Sequence, residues 1–280
     1  MNFKIIHSVL FCLLTTTAMH SATAQEKLHP DTLQCPIVGF HAALAGPLTS
    51  FSSATAPDGS TVPNATMGDL YKAPWLDFGM DFAFKWRNGL FLNLEGSLII
   101  GNNNLKNRLQ RMPDVYSSGK MIIGVNGTDA TVTSYNRMLS AKLGVGKIFI
   151  LNDKNPNSGP FARLDAGFMQ NQTVFMLNQH VNAPQVNGDY AYLYDHQRRG
   201  FLLSQAVGYW FMGNRSAILN FNVSFEITEV WSASTRDYII DDLIPMRGAD
   251  NNNYFDLLYG IKLIWMFPIT GKPAYDYYYY

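Results

Sequence analysis

Hydrophobic and polar residues alternate along much of the chain. Between Leu76 and Arg87 every even position is apolar, whereas every odd position is charged or small. Successive side chains of a β-strand point to opposite faces, so this pattern predicts a strand with one apolar and one polar face. Asn88-Gly89 follows, which is a strong hairpin signal, and the alternation resumes at Leu90. The segment therefore predicts two antiparallel strands joined by a tight turn.

The same alternation recurs six more times, which brings the predicted number of strands to eight. The apolar positions of these six strands fall within Val38–Leu44, Leu139–Phe149, Ala162–Phe168, Phe201–Phe211, Leu219–Ile227 and Phe255–Phe267. At about 11 to 13 residues the strands are long enough to cross a bilayer at a tilt, which needs ~9 to 11 residues.

The connections between the predicted strands alternate in length. Three of them are short turns, at Asn88-Gly89, Asn152–Gly159 and Met212–Arg215. The other four are long and polar, near residues 51–74, 102–134, 170–198 and 232–252. Because all the short turns fall at one end, the pattern predicts an eight-stranded antiparallel up-and-down transmembrane β-barrel with short periplasmic turns and long extracellular loops. An even number of strands would place both termini in the periplasm.

A soluble barrel of the lipocalin kind is the alternative, because its strands also alternate, but with the apolar face inward. The positions of the five tryptophans favour the membrane barrel, since they fall at predicted strand ends, where two interfacial girdles would lie. Trp75 and Trp231 are on the loop side, and Trp86, Trp210 and Trp265 are on the turn side. We therefore expect all five to face the membrane interface.

The polar face of the strands has nearly balanced charges, as a narrow lumen requires, because an unpaired buried charge is costly. We expect a lumen charge network of Asp77, Asp81, Lys85, Glu95, Lys142, Arg163, Asp165, Glu226, Asp256 and Lys262. Eight strands enclose a space that side chains about fill, so this network is expected to hold the barrel shut. A path for protons or ions is the alternative. His41, on the same face, is expected to be a hydrogen-bonded core residue.

Composition and the N-terminus limit the class of protein. Lys and Arg total 21 and Asp and Glu total 21, which gives no net charge and makes a nucleic-acid partner improbable. Residues 1–24 read as a signal peptide, with a basic start, an apolar core and a small-residue cleavage pattern ending at Ala24. The expected domains are this leader, a periplasmic segment over 25–35, the barrel over 36–268 and a periplasmic Tyr-rich tail over 269–280.

The leader, the eight alternating strands, the aromatic strand ends and the long loops together resemble small bacterial outer-membrane barrels of the OmpA, OmpX and OmpW type. The abundance of Asn and Tyr is similar to that of outer-membrane barrels of Bacteroidota. The resemblance covers about residues 36–268 and implies an integral outer-membrane location more strongly than any activity. One departure is the C-terminus, where Pro268 and a Tyr-rich tail follow the terminal aromatic Phe267.

No spacing in the chain indicates a catalytic site. A lipid-modifying or proteolytic enzyme of this location would need a nucleophile or acid beside a histidine at the outer rim. The available residues are His180, His196, Ser134, Ser232, Ser234, Asp237, Asp241 and Asp242. The acidic and amide group from Asp250 to Asp256 lacks the glycine and closing glutamate of a calcium loop. We therefore expect no enzyme, metal or cofactor.

The long loops are the expected place for function. In the third loop, Thr173–Leu177 and Tyr190–Tyr194 have strand-like sequences that would extend the barrel as an exposed sheet, and such an edge could pair with a protein partner outside the cell. Alternatively, the loops only shield the barrel and contact outer-membrane lipid and lipopolysaccharide. The sequence thus favours a non-enzymatic surface-interaction or envelope-integrity protein. Passage of small apolar molecules is the second possibility.

Overall fold

The computed structural model describes most of the expected barrel. It covers residues 32–50, 53–55, 61–63, 71–103, 122–130, 132–151, 155–177, 182–213, 220–237 and 253–269. The expected leader, most of the expected periplasmic segment and nearly all of the Tyr-rich tail lie outside the described residues. Among those residues, no helix has the length and apolar character to cross a membrane.

Eight long antiparallel strands form a closed barrel. They are β1 (Cys35–Ser50), β4 (Tyr71–Lys85), β5 (Leu90–Asn103), β8 (Val132–Ile148), β9 (Gly159–Leu177), β10 (Arg198–Met212), β11 (Asn220–Ser234) and β12 (Asn253–Pro268). Each strand pairs with its neighbour along the chain, and β12 closes the barrel by pairing with β1. The predicted eight-stranded up-and-down barrel is confirmed. Closure matters because it leaves no unpaired barrel edge.

The connections at the loop end contain structure of their own. Ser53–Thr55 (β2) pairs with Thr61–Pro63 (β3), and Ile122–Ile123 (β6) pairs with Asp129–Ala130 (β7). The third loop contains two 3-10 helices, Pro184–Val186 and Gly188–Leu193.

The predicted sheet in the third loop is half correct. Thr173–Leu177 continues β9 and pairs with the start of β8, where Val132 lies opposite Leu177. Tyr190–Tyr194 is not a strand, because the 3-10 helix occupies Gly188–Leu193. That helix begins where the Asn187 side chain accepts a hydrogen bond from the Gly188 N–H and Gly188 adopts a φ of 58°. A local cap thus overrides the strand propensity of the tyrosines.

The alternation in sequence separates an apolar exterior from a polar interior. On β4, Leu76, Phe78 and Phe82 are exposed, whereas Asp77 and Asp81 are buried. On β11, Val223 is exposed and Ser224 is buried. The barrel is therefore apolar on its outside, the opposite of a soluble lipocalin-like barrel.

Aromatic side chains form two groups on the outer surface. At the turn end, Trp86 packs against Phe84 and Trp265 packs against Phe267, with ring centroids 5.0 Å and 4.9 Å apart. At the loop end, a row that we call the aromatic ladder crosses four adjacent strands. Its members are Phe168, Phe201, Trp231 and Phe255, with successive centroids 5.9, 6.3 and 5.5 Å apart.

The girdle prediction is wrong for two of the five tryptophans. Trp75 and Trp210 are 0% and 2% exposed and lie inside the barrel, whereas Trp86, Trp231 and Trp265 lie on its outer surface. Trp75 has the same parity on β4 as the buried Asp77, so its side chain must enter the lumen. The face of a residue is decided by whether its position along the strand is odd or even, and not by how near it lies to a strand end.

The assignment of faces can be tested at Val223. In a bilayer Val223→Arg should lower the free energy of unfolding by roughly 2 to 4 kcal/mol if the residue lies near the midplane, because a guanidinium would then face hydrocarbon. Urea titration of the protein folded in phosphatidylcholine liposomes measures this change. Val223→Leu is the matched control and should be nearly neutral. Equal stability of the two variants would contradict a lipid-facing position.

Candidate functional site

The loop side of the lumen is filled by apolar side chains centred on Trp75. This upper apolar layer consists of Ala45, Trp75, Ile99, Met138, Met169, Leu202, Val230 and Leu258. They come from all eight strands, so the layer extends across the whole barrel. Apolar packing of this kind leaves little room for water.

A second group of apolar side chains fills the turn side. This lower apolar layer consists of Cys35, Ile37, Ala83, Phe91, Ile148, Phe161, Trp210, Met212, Ile264 and Met266. Phe91, Phe161 and Trp210 contact one another, with centroids 5.0 to 6.2 Å apart. Below them, Lys85 Nζ donates to the Leu33 carbonyl and to Asn157 Oδ1, at 3.0 and 3.1 Å. Through Lys85, the residues just before β1 and the β8–β9 turn thus contact the turn end of the lumen.

Between the two layers lies the central ion cluster, which consists of Glu95, Lys142, Arg163, Asp165, Glu226 and Lys262. On β5, Glu95 lies midway between Phe91 of the lower layer and Ile99 of the upper layer. All six side chains are buried. Three carboxylates and three permanent cations make the cluster formally neutral, which is what a site remote from water requires.

The contacts within the central ion cluster are direct. Arg163 binds Asp165 at 2.8 Å, Glu226 at 2.6 Å and Glu95 at 3.2 Å. Glu95 also binds Lys142 at 2.7 Å and Lys262 at 2.5 Å. Because each glutamate contacts three cations, removing one carboxylate leaves several charges without compensation.

A second polar group surrounds His41. Its Nδ1 lies 2.5 Å from Asp81 Oδ2, and its Nε2 lies 3.4 Å from Asp77 Oδ1. Ser97 Oγ donates to Asp77, and Asn93 Nδ2 donates to Asp81 at 3.3 Å. The imidazole fits because Gly79 lies opposite His41, where a Cβ would lie 2.5 Å from His41 Cε1.

Metal-binding atoms are present beside this histidine. His41, Asp77 and Glu95 offer ligand atoms that all lie within 4.8 Å of one another. Glu95, however, already contacts Lys142, Lys262 and Arg163. A metal ion would therefore have to compete with three cations, and we assign the group to the ion-pair packing of the lumen.

The ten charged residues expected in the lumen are all buried inside the barrel, and they lie at different levels along its axis. Six make up the central ion cluster, and Asp77 and Asp81 contact His41. Lys85 lies at the turn end and has no carboxylate partner in the part of the chain that the structure describes. Asp256 lies on the loop side of Leu258, beyond the upper apolar layer. The alternation predicts the face on which each charged residue lies. Which of these residues contact one another depends on the register between strands.

At the loop end, residues 182–197 fold into a structured segment that we call the loop-end cap. Arg236, just after β11, makes a two-bond ion pair with Asp195, at 2.7 and 3.2 Å. Its guanidinium also lies over the Tyr192 ring, 4.3 Å from the centroid. The Thr173 N–H donates to the Asp195 carbonyl at 2.7 Å. The hydrogen bond from Arg236 to Asp195 raises the pKa of the guanidinium further above its ordinary value.

The cap presents aromatic rings to solvent. Tyr190 and Tyr192 are 61% and 50% exposed, whereas Tyr194 and His196 are buried. The β6–β7 hairpin joins the same surface, because its Val125 N–H donates to the Asn182 carbonyl at 2.8 Å. Val125 is 65% exposed. An ordered apolar surface therefore stands at the loop end.

Of the candidate catalytic residues, the structure describes the side chains of His196, Ser232, Ser234 and Asp237. His196 and Ser232 are buried, and Asp237 is exposed. Ser234 Oγ accepts a hydrogen bond from the Arg236 N–H at 3.3 Å. His180, Asp241, Asp242 and Asp250 and the side chain of Ser134 lie outside the described residues.

The neutrality of the central ion cluster can be tested at Glu95. Glu95→Gln should lower the free energy of unfolding by about 3 to 5 kcal/mol, because it leaves Lys142 and Lys262 short of a buried counter-charge. Urea unfolding in phosphatidylcholine liposomes measures the change. Asp189→Asn, an equal charge change at an exposed residue of the cap, should shift stability by no more than about 0.5 kcal/mol. Equal small effects of both substitutions would contradict the role assigned to the cluster.

Comparisons with known proteins find similar solved structures but assign the chain to no family. No family model matches the chain, and no curated protein matches it. Among solved structures, it is similar to Neisserial surface protein A, with 9% identity and a TM-score of 0.37 over 84% of this chain and 97% of that one. It is also similar to Ail, the attachment invasion locus protein of Yersinia pestis, with 9% identity and a TM-score of 0.31 over the same shares of the two chains.

Proposed function

We propose that this chain is an integral outer-membrane barrel that acts through its extracellular loops, in surface interaction or envelope integrity, and not as a pore or an enzyme. The observation that supports this most directly is the filled lumen. Apolar layers close both ends, and a neutral ion cluster occupies the middle. Binding of another molecule is then left to the outside of the described barrel, and the loop end is the surface that would face the surroundings of the cell.

The outer surface supports the membrane location. Large apolar side chains are exposed on every barrel strand, among them Leu44, Phe78, Leu94, Leu143, Phe168, Val207, Phe225 and Leu263. A water-soluble protein rarely exposes a continuous apolar band of this extent. In a bilayer the same band is stabilising, and the closed hydrogen-bond ladder satisfies the backbone groups that lipid cannot.

The orientation follows from the connections. The short turns at Trp86–Gly89 and Asn155–Ser158 would face the periplasm, and the longer connections would face outside. The proposal includes removal of the leader near Ala24 and places the Tyr-rich tail in the periplasm.

Passage of small apolar molecules is the weaker alternative. An apolar solute could mix with the upper or lower apolar layer, but between them it would have to displace the side chains of Arg163 and Glu95 from each other. Separating such a buried ion pair costs several kcal/mol. A lumen built in this way opposes apolar solutes.

A protein partner outside the cell is the best-supported role for the loops. The cap holds Tyr190 and Tyr192 on an ordered backbone, fixed by Asp195 and Arg236. Tyrosine is enriched at protein interfaces because its rigid ring buries much area at little entropic cost. The cap and the adjoining β6–β7 hairpin together form the proposed contact surface.

The role of the cap can be tested by replacing residues 182–193 with a Gly-Ser linker of equal length. The barrel should remain folded, because the replaced residues add nothing to the barrel ladder, and unboiled protein should still migrate differently from boiled protein in SDS gels. In a deletion strain that carries the variant, surface adhesion or detergent resistance should be lost relative to the parent protein.

Tyr190→Ala/Tyr192→Ala is the finer variant and should reduce the same phenotype, whereas Trp86→Phe at the turn end is its control. The proposal is overturned if the cap replacement restores every phenotype of the parent while Glu95→Gln, in folded form, abolishes them. That result would place function in the lumen.

A further inference from the structure

Two arginines on the outer wall of the barrel differ in their contacts from Arg163 and Arg236. Arg163 binds three carboxylates and Arg236 binds Asp195. In contrast, Arg137 on β8 and Arg199 on β10 contact no carboxylate among the residues that the structure describes. Both lie near the loop end. Leu139 and Phe201, two residues closer to the turn end on the same strands, are exposed. Because residues two apart on a strand share a face, Arg137 and Arg199 also lie on the outward face.

The strand between them provides two amides on the same face. Gln172 lies opposite Arg137, and Gln170 lies opposite Arg199. Arg199 Nε donates to Gln170 Oε1 at 2.9 Å, and Gln172 Oε1 accepts from Gln197 of the cap at 3.0 Å. The guanidinium of Arg199 is therefore held along the wall, with its Nη groups available to an outside acceptor.

The aromatic ladder begins directly below these polar residues. Phe168 and Phe201 are cross-strand partners, and Phe168 is 71% exposed, among the highest values for the large apolar residues of the barrel. The neighbouring outward carboxylate is Glu229, which lies opposite Leu203. It is two residues closer to the turn end than the pair formed by Phe201 and Trp231. The polar patch above the ladder is therefore cationic and amide-rich, and the aromatic ladder separates it from Glu229.

This arrangement matches an amphiphile with an anionic head and apolar tails. Guanidinium groups bind phosphate through paired charge-assisted hydrogen bonds, and an aromatic wall packs against acyl chains. Arg137 and Arg199 are two strands apart and offset by two residues, which separates their Cα atoms by about 12 Å. At this separation the two guanidinium groups can each reach a different phosphate of one headgroup.

We propose that Arg137 and Arg199, with Gln170 and Gln172, form a binding site on the barrel wall for the phosphorylated headgroup of an outer-leaflet glycolipid of the lipid A type. The acyl chains of this lipid lie against the aromatic ladder. The inference rests on the proposed membrane location, but not on the proposed role of the cap.

The test measures binding of diphosphoryl lipid A to the full barrel in dodecylmaltoside micelles by microscale thermophoresis. Arg137→Gln/Arg199→Gln should raise the apparent Kd about tenfold or more, because two charge-assisted contacts are lost. Arg87→Gln, the same substitution at an exposed residue of the turn end, should leave it unchanged. Heat-dependent migration in SDS gels shows whether each variant is folded.

Further arms separate the sources of phosphate. Monophosphoryl lipid A should bind more weakly than the diphosphoryl form, and Phe168→Ala should weaken lipid A binding without affecting inorganic pyrophosphate. The inference is overturned if the folded double variant binds lipid A as the parent does, if Arg87→Gln costs as much, or if pyrophosphate binds as tightly as lipid A. The variant in which residues 182–193 are replaced should still bind lipid A, so failure of the cap proposal is measured separately.

Discussion

The charges in the middle of the barrel must cancel, and the rest of the structure depends on this condition. Glu95, Asp165 and Glu226 face Lys142, Arg163 and Lys262 in the buried interior of the barrel. In such a place an uncompensated charge is far more costly than a missing apolar contact. Since the six residues come from five strands, their ion pairs are made only when the strands hold one register. We therefore expect the cluster to disfavour other strand registers as well as to fill the barrel.

Apolar layers on both sides make this cluster possible. Trp75 on the loop side and Trp210 on the turn side lie between the ion pairs and the two ends of the barrel, and an apolar surrounding strengthens the attraction between opposite charges. A barrel filled in this way is a rigid support. It leaves two described surfaces for molecular contacts, the loop-end cap and the outer wall, and the proposed functions use one each.

The alternation of residues was enough to predict the eight strands, their order and the face of each lumen charge. It also accounts for Trp75 and Trp210, whose nearness to strand ends predicts the wrong face; Trp75 shares the parity of the buried Asp77. Other features depend on contacts that no periodicity contains. His41 meets Asp81 through the β1–β4 register and the space at Gly79, and Tyr190 lies in a 3-10 helix because of the local cap at Asn187. Arg137 and Arg199 lie on the same patch of the outer wall because β9 pairs with both of their strands.

The central claim is that the lumen is closed and that function lies outside it. Liposome swelling measures this most directly, with the parent protein folded in phosphatidylcholine liposomes and exposed to an isosmotic solution of arabinose. A general porin serves as the positive control and protein-free liposomes as the negative control. We expect swelling no faster than that of the protein-free liposomes. Swelling that rises in proportion to the amount of folded barrel would show a continuous aqueous path and would contradict the account.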